Sequence, residues 1–240
     1  MIIESINNEK VKYWRKIRTN KYINEYGEYI VEGEHLVEEA IKSGKAKYLI
    51  ILDGTNYESN LEKYYVNEKV MNSVSLLKSV PTVMCVVKIC SNETDFGKKV
   101  VLLDDVQDPG NVGTIIRTAY AFNFDTVILS KKTASIYNDK VIRASQGMIF
   151  HINVITDDLI NIIPKMKKEG FIIYSTLMNG EITPEEINDE KFAFVLGNEG
   201  TGISESVQNL CDNSIVIPIN NKCESLNVAI TGAIIMYIKR

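Results

Sequence analysis

From Val100 onward, short apolar runs recur at regular intervals: VVLLDD (100–105), DTVILS (125–130), FIIYST (171–176), FAFVLG (192–197) and NSIVIPI (213–219). Four are rich in β-branched residues with little alternation, and FAFVLG is apolar and aromatic, which predicts strands buried on both faces. Helical patterns lie between most of them, at 111–123, 157–169 and 203–210, and a last one spans 225–239. Such alternation predicts a mostly parallel sheet covered by helices, an α/β fold. The first ninety residues have a shorter rhythm. A helical stretch at 6–20 precedes a strand at 29–33, and the amphipathic helix EHLVEEAIKSG stops at Gly44. An apolar strand at 47–52 follows, then a helix and a strand within YYVNEKVMNSVS and VPTVMCVVKI. This reads as a compact α/β unit of residues 1–90, a polar linker at 91–99 (SNETDFGKK) and a second domain at 100–240.

Composition narrows the class. The chain has 240 residues, 45% hydrophobic, enough for a real core. A net charge of -4 argues against a globally basic nucleic-acid binder. Residues 1–22 depart from that average, with six Lys/Arg against two Glu and with Tyr13 and Trp14 among the bases. A surface helix pinned by its Trp explains this stretch, and so does an element that contacts phosphates; charge alone favours the first. The N-terminus has no apolar signal core, and the apolar run Ser225–Ile238 is shorter than the roughly 18 residues of a membrane span, so a cytoplasmic protein without membrane contact is expected. Cys85, Cys90, Cys211 and Cys223 form no CxxC pair and read as reduced core thiols, with Cys85 and Cys90 on opposite faces of one strand. With two histidines, His35 and His151, no metal centre is expected. Asn92-Glu93-Thr94 matches a glycosylation sequon, which carries no meaning in the cytosol.

In open α/β sheets, ligands bind outside the carboxyl ends of the strands, so the loops that follow the strands carry the chemistry. The first, after strand 100–105, runs through Asp108-Pro109-Gly110-Asn111 into a helix whose Val112, Ile115, Ile116 and Ala119 share one stripe, with Arg117 on the other side. That Arg is either solvated or aimed into a cleft. The second, FVLGNEGTGIS (194–204), is a strand, a Gly-rich turn and a helix, a plausible anion cradle. Its glycines run GxxGxG, not GxGxxG. Gly197 and Gly202 have P-loop spacing, but Ile203 stands at the lysine position and Glu199 would repel a triphosphate, so an NTPase reading fails. The third, 217–240, ends in a helix apolar around nearly its whole circumference, which must be buried by core or by a partner chain. N-capping accounts for Ser225; Asn227 is harder to dismiss, because Asn is a mediocre helix former.

Together these segments resemble motifs 1, 2 and 3 of the SpoU (TrmH-type) branch of the SPOUT RNA methyltransferases. Motif 1 is similar to Asp108-Pro109-Gly110-Asn111-Val112-Gly113 running into Ile116-Arg117-Thr118-Ala119. Motif 2 resembles Leu196-Gly197-Asn198-Glu199-Gly200-Thr201-Gly202-Ile203. Motif 3 resembles Ile217-Pro218 followed by Glu224-Ser225-Leu226-Asn227-Val228. Arg143-Ala144-Ser145-Gln146-Gly147-Met148 resembles the family's Ser-x-Gly-Ala segment, with Met148 in place of Ala. Residues 1–90 resemble the L30e-like substrate-binding domain of the rRNA-modifying members.

The resemblance implies a C-terminal α/β knot, with the last segment drawn into a deep trefoil, and an active homodimer. It implies transfer of methyl from S-adenosylmethionine to a ribose 2′-hydroxyl of RNA, most simply 23S rRNA. Thr176, Leu196, Gly197, Ile217, Ile219 and Leu226 would contact the cofactor. Asn111, Arg117, Glu199, Ser225 and Asn227 match the family's polar catalytic set, with Arg117 as base or as electrostatic clamp. A tRNA 2′-O-methyltransferase, a knotted base methyltransferase and a non-catalytic ribosome-assembly factor of the same fold are the alternatives.

Overall fold

The computed structural model describes residues 2–89 and 95–240. The Cys90 thiol, the sequon and the first part of the expected linker lie outside them. The chain divides into two compact units, with the boundary near residue 91.

The first unit holds β1 (Ile2–Ile3), α1 (Glu9–Lys16), α2 (Asn20–Tyr26), β2 (Glu28–Glu32), α3 (Glu34–Lys42), β3 (Ala46–Leu52), β4 (Glu62–Val66), α4 (Glu68–Val74) and β5 (Val83–Lys88). Its five-stranded sheet is ordered β1-β4-β3-β5-β2, with β5 antiparallel to both neighbours and β4 parallel to both of its own. The basic helix expected over 6–20 is two helices. Chain direction changes at Ile17–Thr19, because Ile17 is fully buried and Arg18 turns inward. Arg18 meets Glu32 at 3.3 Å, with both side chains under a tenth exposed, and also donates to the carbonyls of Val74 and Ile30. Glu32 is satisfied further by Ser75 Oγ and the Leu76 amide. One of the six N-terminal cations is therefore structural, and breaking such a pair costs about 3–5 kcal/mol. Trp14 is wholly buried and donates its indole N–H to Tyr48 at 3.1 Å, so it pins the helix to the core.

The second unit holds β6 (Lys99–Leu103), α5 (Pro109–Ala121), β7 (Thr126–Leu129), α6 (Asp139–Ala144), β8 (Asn153–Thr156), α7 (Leu159–Lys168), β9 (Ile172–Thr176), β10 (Phe192–Leu196), α8 (Glu205–Gln208), β11 (Asn213–Ile215) and α9 (Val228–Ile238). Six strands, all parallel, are ordered β11-β9-β10-β6-β7-β8. β8 was not expected from HINVIT, a run too short to stand out. Residues 95–99, expected as linker, pack on this unit. Phe96 is buried in its core against Phe171, and the amides of Lys98 and Lys99 donate to the Asp125 carboxylate.

Two expectations at the C-terminus are corrected. The strand expected over 213–219 ends at Ile215, and the chain then runs as loop through Pro218, which has no N–H to offer a ladder. The helix expected from Ser225 begins at Val228. Within the single chain that helix is buried along one side. Val228, Ala229, Gly232, Ile235 and Met236 face inward, while Ile230 and Tyr237 are about half exposed. Gly232 explains the close seating: a Cβ there would lie 2.8 Å from the Leu196 side chain. Among the thiols, Cys85 is buried as expected, but Cys223 is exposed and is no core residue.

Candidate functional site

The loops leaving β6, β9, β10 and β11 meet at one end of the parallel sheet. Adjacent strands β9, β10 and β6 end in register there, so Thr176, Leu196 and Leu103 sit side by side with their following loops above them. Over this edge lies a cavity of about 560 Å³, within the range of roughly 300–1,000 Å³ usual for small-molecule sites. Its walls are apolar side chains of Leu196, Ile217, Ile219 and Leu226, together with the backbone of the turn 197–203.

That turn is fixed by its own atoms. Asn198 and Gly202 exchange both backbone hydrogen bonds, at 3.0 and 2.9 Å. Asn198 Oδ1 accepts from the amides of Gly200 and Thr201, and its Nδ2 donates to the Asp105 carbonyl at 2.8 Å. Ser204 closes the turn by donating its amide and hydroxyl to buried Asp104, both at 2.8 Å. Gly197 makes the tightness possible. A Cβ there would lie 2.3 Å from Gly202 C and Ile203 N.

A chain of side-chain hydrogen bonds crosses the cavity rim. Asn227 caps α9, its Oδ1 accepting from Ala229 and Ile230 amides at 2.9 and 3.3 Å. The cap forces Nδ2 outward, where it donates to Asn111 Oδ1 at 3.0 Å. Asn111 Nδ2 must then face Glu199, to which it donates at 2.9 Å. Amides of Gln107 and Asp108 also donate to that carboxylate, at 3.1 and 3.2 Å. One polarity thus runs from the helix N-terminus to an anion, and every member satisfies its neighbour.

Glu199 is held below the usual carboxylate range. Burial acts against its ionisation, but hydrogen bonds from Asn111 and from the backbone amides of Gln107, Asp108 and Glu199 itself outweigh it. A lowered folded value means that this stabilisation is complete above the ordinary glutamate range, near pH 4.3, and is lost only as pH falls through the lowered value. Hydrogen exchange at the Gln107 and Asp108 amides is therefore expected to stay protected through the ordinary glutamate range and to open only as pH falls through the lowered value.

Thr176, Leu196, Gly197, Ile217, Ile219, Leu226, Glu199, Ser225 and Asn227 all line the cavity. Asn111 is outside its lining and joins through its two hydrogen bonds. Arg117 is not brought in. It stands exposed on α5, opposite the buried Val112, Ile115, Ile116 and Ala119, and makes no hydrogen bond or ion pair among the described residues. The capping role assigned to Ser225 falls to Asn227, which resolves why a poor helix former stands there; Ser225 is an exposed loop residue. Two residues were missed. Asn198 folds the turn, and its signal was an Asn inside a Gly-rich stretch, an Asx turn. Gln107 ties the loop after β6 to that after β7, with Nε2 donating to the carbonyls of Asp105 and Lys132, and no sequence pattern marks it.

Residues 98–237 match the SpoU rRNA Methylase family, and residues 8–84 match the MRM3-like substrate binding domain. A Bacillus subtilis protein, 23S rRNA (guanosine(2553)-2'-O)-methyltransferase RlmP, is 39% identical over 98% of this chain and 97% of its own length. An AdoMet-bound rRNA methyltransferase from Sinorhizobium meliloti superposes with a TM-score of 0.86 at 25% identity, covering 99% of this chain and 96% of that one. The SpoU methyltransferase AviRb from Streptomyces viridochromogenes, at 21% identity and a TM-score of 0.86 over 97% of both chains, has the same fold. The α/β architecture expected from the strand rhythm is thus shared over nearly the whole length, and the chain belongs to the SpoU rRNA Methylase family.

Proposed function

We propose that the protein methylates a ribose 2′-hydroxyl of 23S rRNA, with S-adenosylmethionine as methyl donor. The observation that carries this reading is the cavity at the ends of β9, β10 and β11, with the Asn227–Asn111–Glu199 chain across its rim. The residues present fit the donor. Leu196, Ile217, Ile219 and Leu226 offer apolar walls for a purine, Thr176 and the turn from Gly197 offer polar atoms, and ionised Glu199 suits a cationic ligand. S-adenosylmethionine, when bound, supplies an electrophilic methyl carried on a sulfonium.

The chain's own residues position the nucleotide. Arg117 carries a guanidinium that makes no hydrogen bond or ion pair among the described residues, and a guanidinium offers donors but no acceptor. It clamps an RNA phosphate and stabilises the alkoxide that develops as the hydroxyl proton leaves. Asn111 and Asn227 hold the approach side rigid, and Ser225 adds a hydroxyl at the wall. A second copy covers the apolar face left open on α5 and α9, where Tyr120, Ile230 and Tyr237 are exposed. A two-fold dimer across that face places Arg117 at the interface, within reach of the partner's site. The trefoil knot fits the strand order, in which β10 lies between β6 and β9.

Labelled S-adenosylmethionine and bulk rRNA test the reading. Label is expected in an alkali-resistant linkage of 23S rRNA, first at the guanosine equivalent to the one named for the Bacillus subtilis relative. Label in tRNA alone, or on a base after nuclease digestion and mass spectrometry, replaces the substrate; no label in any RNA overturns the enzyme.

Asn227→Asp separates the rim's chemistry from its architecture. Asp caps helices as well as Asn, so stability is expected within about 0.5 kcal/mol of wild type. The new carboxylate oxygen, however, faces Asn111 Oδ1, acceptor against acceptor. Flipping Asn111 moves the conflict to Glu199. Turnover is expected to fall about 10- to 100-fold, since small misplacements at a reacting centre cost that much.

A further inference from the structure

The N-terminal helices carry a cluster that the cavity chemistry does not use. On α2, Tyr22 and Tyr26 stack with ring centroids 6.1 Å apart and planes 15° from parallel, and Tyr13 of α1 meets Tyr26 edge-on at 5.3 Å. Tyr26 is 42% exposed, which leaves part of its ring open to solvent. Two exposed lysines lie near Tyr22, with Lys16 Nζ 5.6 Å and Lys21 Nζ 5.3 Å from its ring centroid. Neither lysine forms a salt bridge among the described residues. Glu25 is the acidic side chain exposed on the same helix, and it leaves the patch net positive.

Flat rings with flanking cations answer two features of unpaired RNA together. Each base offers a π face that stacks on an aromatic ring without regard to sequence, and the phosphates between bases take the ammonium groups. A regular duplex hides those faces. We infer that Tyr22 and Tyr26, with Lys16 and Lys21, form a stacking platform for unpaired nucleotides of the RNA substrate. The proposal rests on the RNA methyltransferase reading and adds which residues of the first unit hold that RNA and in what state. The basic excess of residues 1–22 thereby gains a use, while Arg18 and Trp14 of the same stretch serve the core.

Fluorescence anisotropy with the full chain tests this, using a labelled ten-nucleotide RNA of mixed sequence, single-stranded or annealed to its complement. Wild type is expected to bind the single strand more tightly than the duplex. Tyr26→Ala should weaken single-strand binding about tenfold and change duplex binding less than about twofold. Tyr26→Trp, which keeps a ring, should stay within about twofold of wild type, and matching thermal melts should show that both variants fold. The Lys16→Gln, Lys21→Gln pair should flatten the slope of log affinity against log salt by about 1.4, two phosphate contacts at roughly 0.7 each. In rRNA methylation, Tyr26→Ala should raise KM about tenfold with kcat unchanged. Absence of single-strand preference, an unchanged Tyr26→Ala, or an equal loss on duplex overturns the platform. Binding as described by a protein that transfers no methyl overturns the enzymatic reading and leaves the platform standing.

Discussion

Replacing Arg117 with alanine is expected to lower kcat for ribose methylation about 10²- to 10³-fold, the usual loss on removing a preorganised charge from a developing oxyanion. Stability should hardly change, because Arg117 is exposed and has no hydrogen bond or ion pair among the described residues, and substitutions of that kind cost within about 0.5 kcal/mol. Lysine should restore little, since a point ammonium lacks the planar fork that grips a phosphate. Tyr120 lies one turn on from Arg117 along the same helix and, like Ile230 and Tyr237 of α9, is exposed. If the second copy docks there and each site uses the other's Arg117, then mixing the impaired Arg117→Ala and Asn227→Asp proteins raises activity above either parent. Random reassortment makes half the dimers mixed, each with one intact site, and so recovers about a quarter of wild-type turnover. Activity that stays at the level of the parents shows that each Arg117 serves its own site.

The parts of this molecule that were legible in its sequence are those where one physical requirement dominates. β6 and β10 lie in mid-sheet, covered on both faces, and so their residues are almost uniformly apolar. The stripe on α5 announced its buried face, and with it the exposed side on which Arg117 stands. Illegible parts depend on long-range pairing. Residues 213–219 read as one strand because Ile215, Val216, Ile217 and Ile219 are all β-formers, yet only the first three positions find a partner in β9. Released from the ladder, Ile217 and Ile219 become cavity walls. Likewise the helix at 6–20 looked continuous, since nothing local reveals that Arg18 will be drawn inward by Glu32.

The site itself was legible as a set of residue types but not as a mechanism of assembly. By sequence Ser225 is the natural cap and Asn227 the anomaly. The structure reverses them, because the Asn227 amide that caps α9 through Oδ1 also orients Asn111 through Nδ2 and, through it, Glu199. A single amide serves the backbone with one atom and the site with the other. Sequence carries no mark of that double use except that a residue stands where propensity alone would not place it.

The glycines of the turn 197–202 give a graded test of how the cavity is held. Gly197→Ala should be the most damaging. Its Cβ would meet backbone atoms of Gly202 and Ile203 at 2.3 Å, and backbone cannot move aside as a flexible side chain could. Opening the turn to admit it breaks the paired hydrogen bonds of Asn198 with Gly202 and displaces Glu199 from Asn111. Overpacking of this kind costs about 1–3 kcal/mol or more. Expressed as binding, S-adenosylmethionine affinity should fall at least about 10- to 100-fold in calorimetric titration. Gly202→Ala meets no atom within 4 Å, but its φ of +72° lies in the left-handed region, where a Cβ costs about 1–2 kcal/mol. Its loss should be about tenfold. Gly200→Ala has neither problem, since its nearest contact is an ordinary 3.5 Å to Asn198 Oδ1, and binding should be unchanged within about twofold. If all three variants bound alike, the turn would not be what shapes the cavity. An order of Gly197, Gly202, Gly200 instead ties affinity to the closeness of backbone to backbone, which is what a motif made of glycine can supply and one made of alanine cannot.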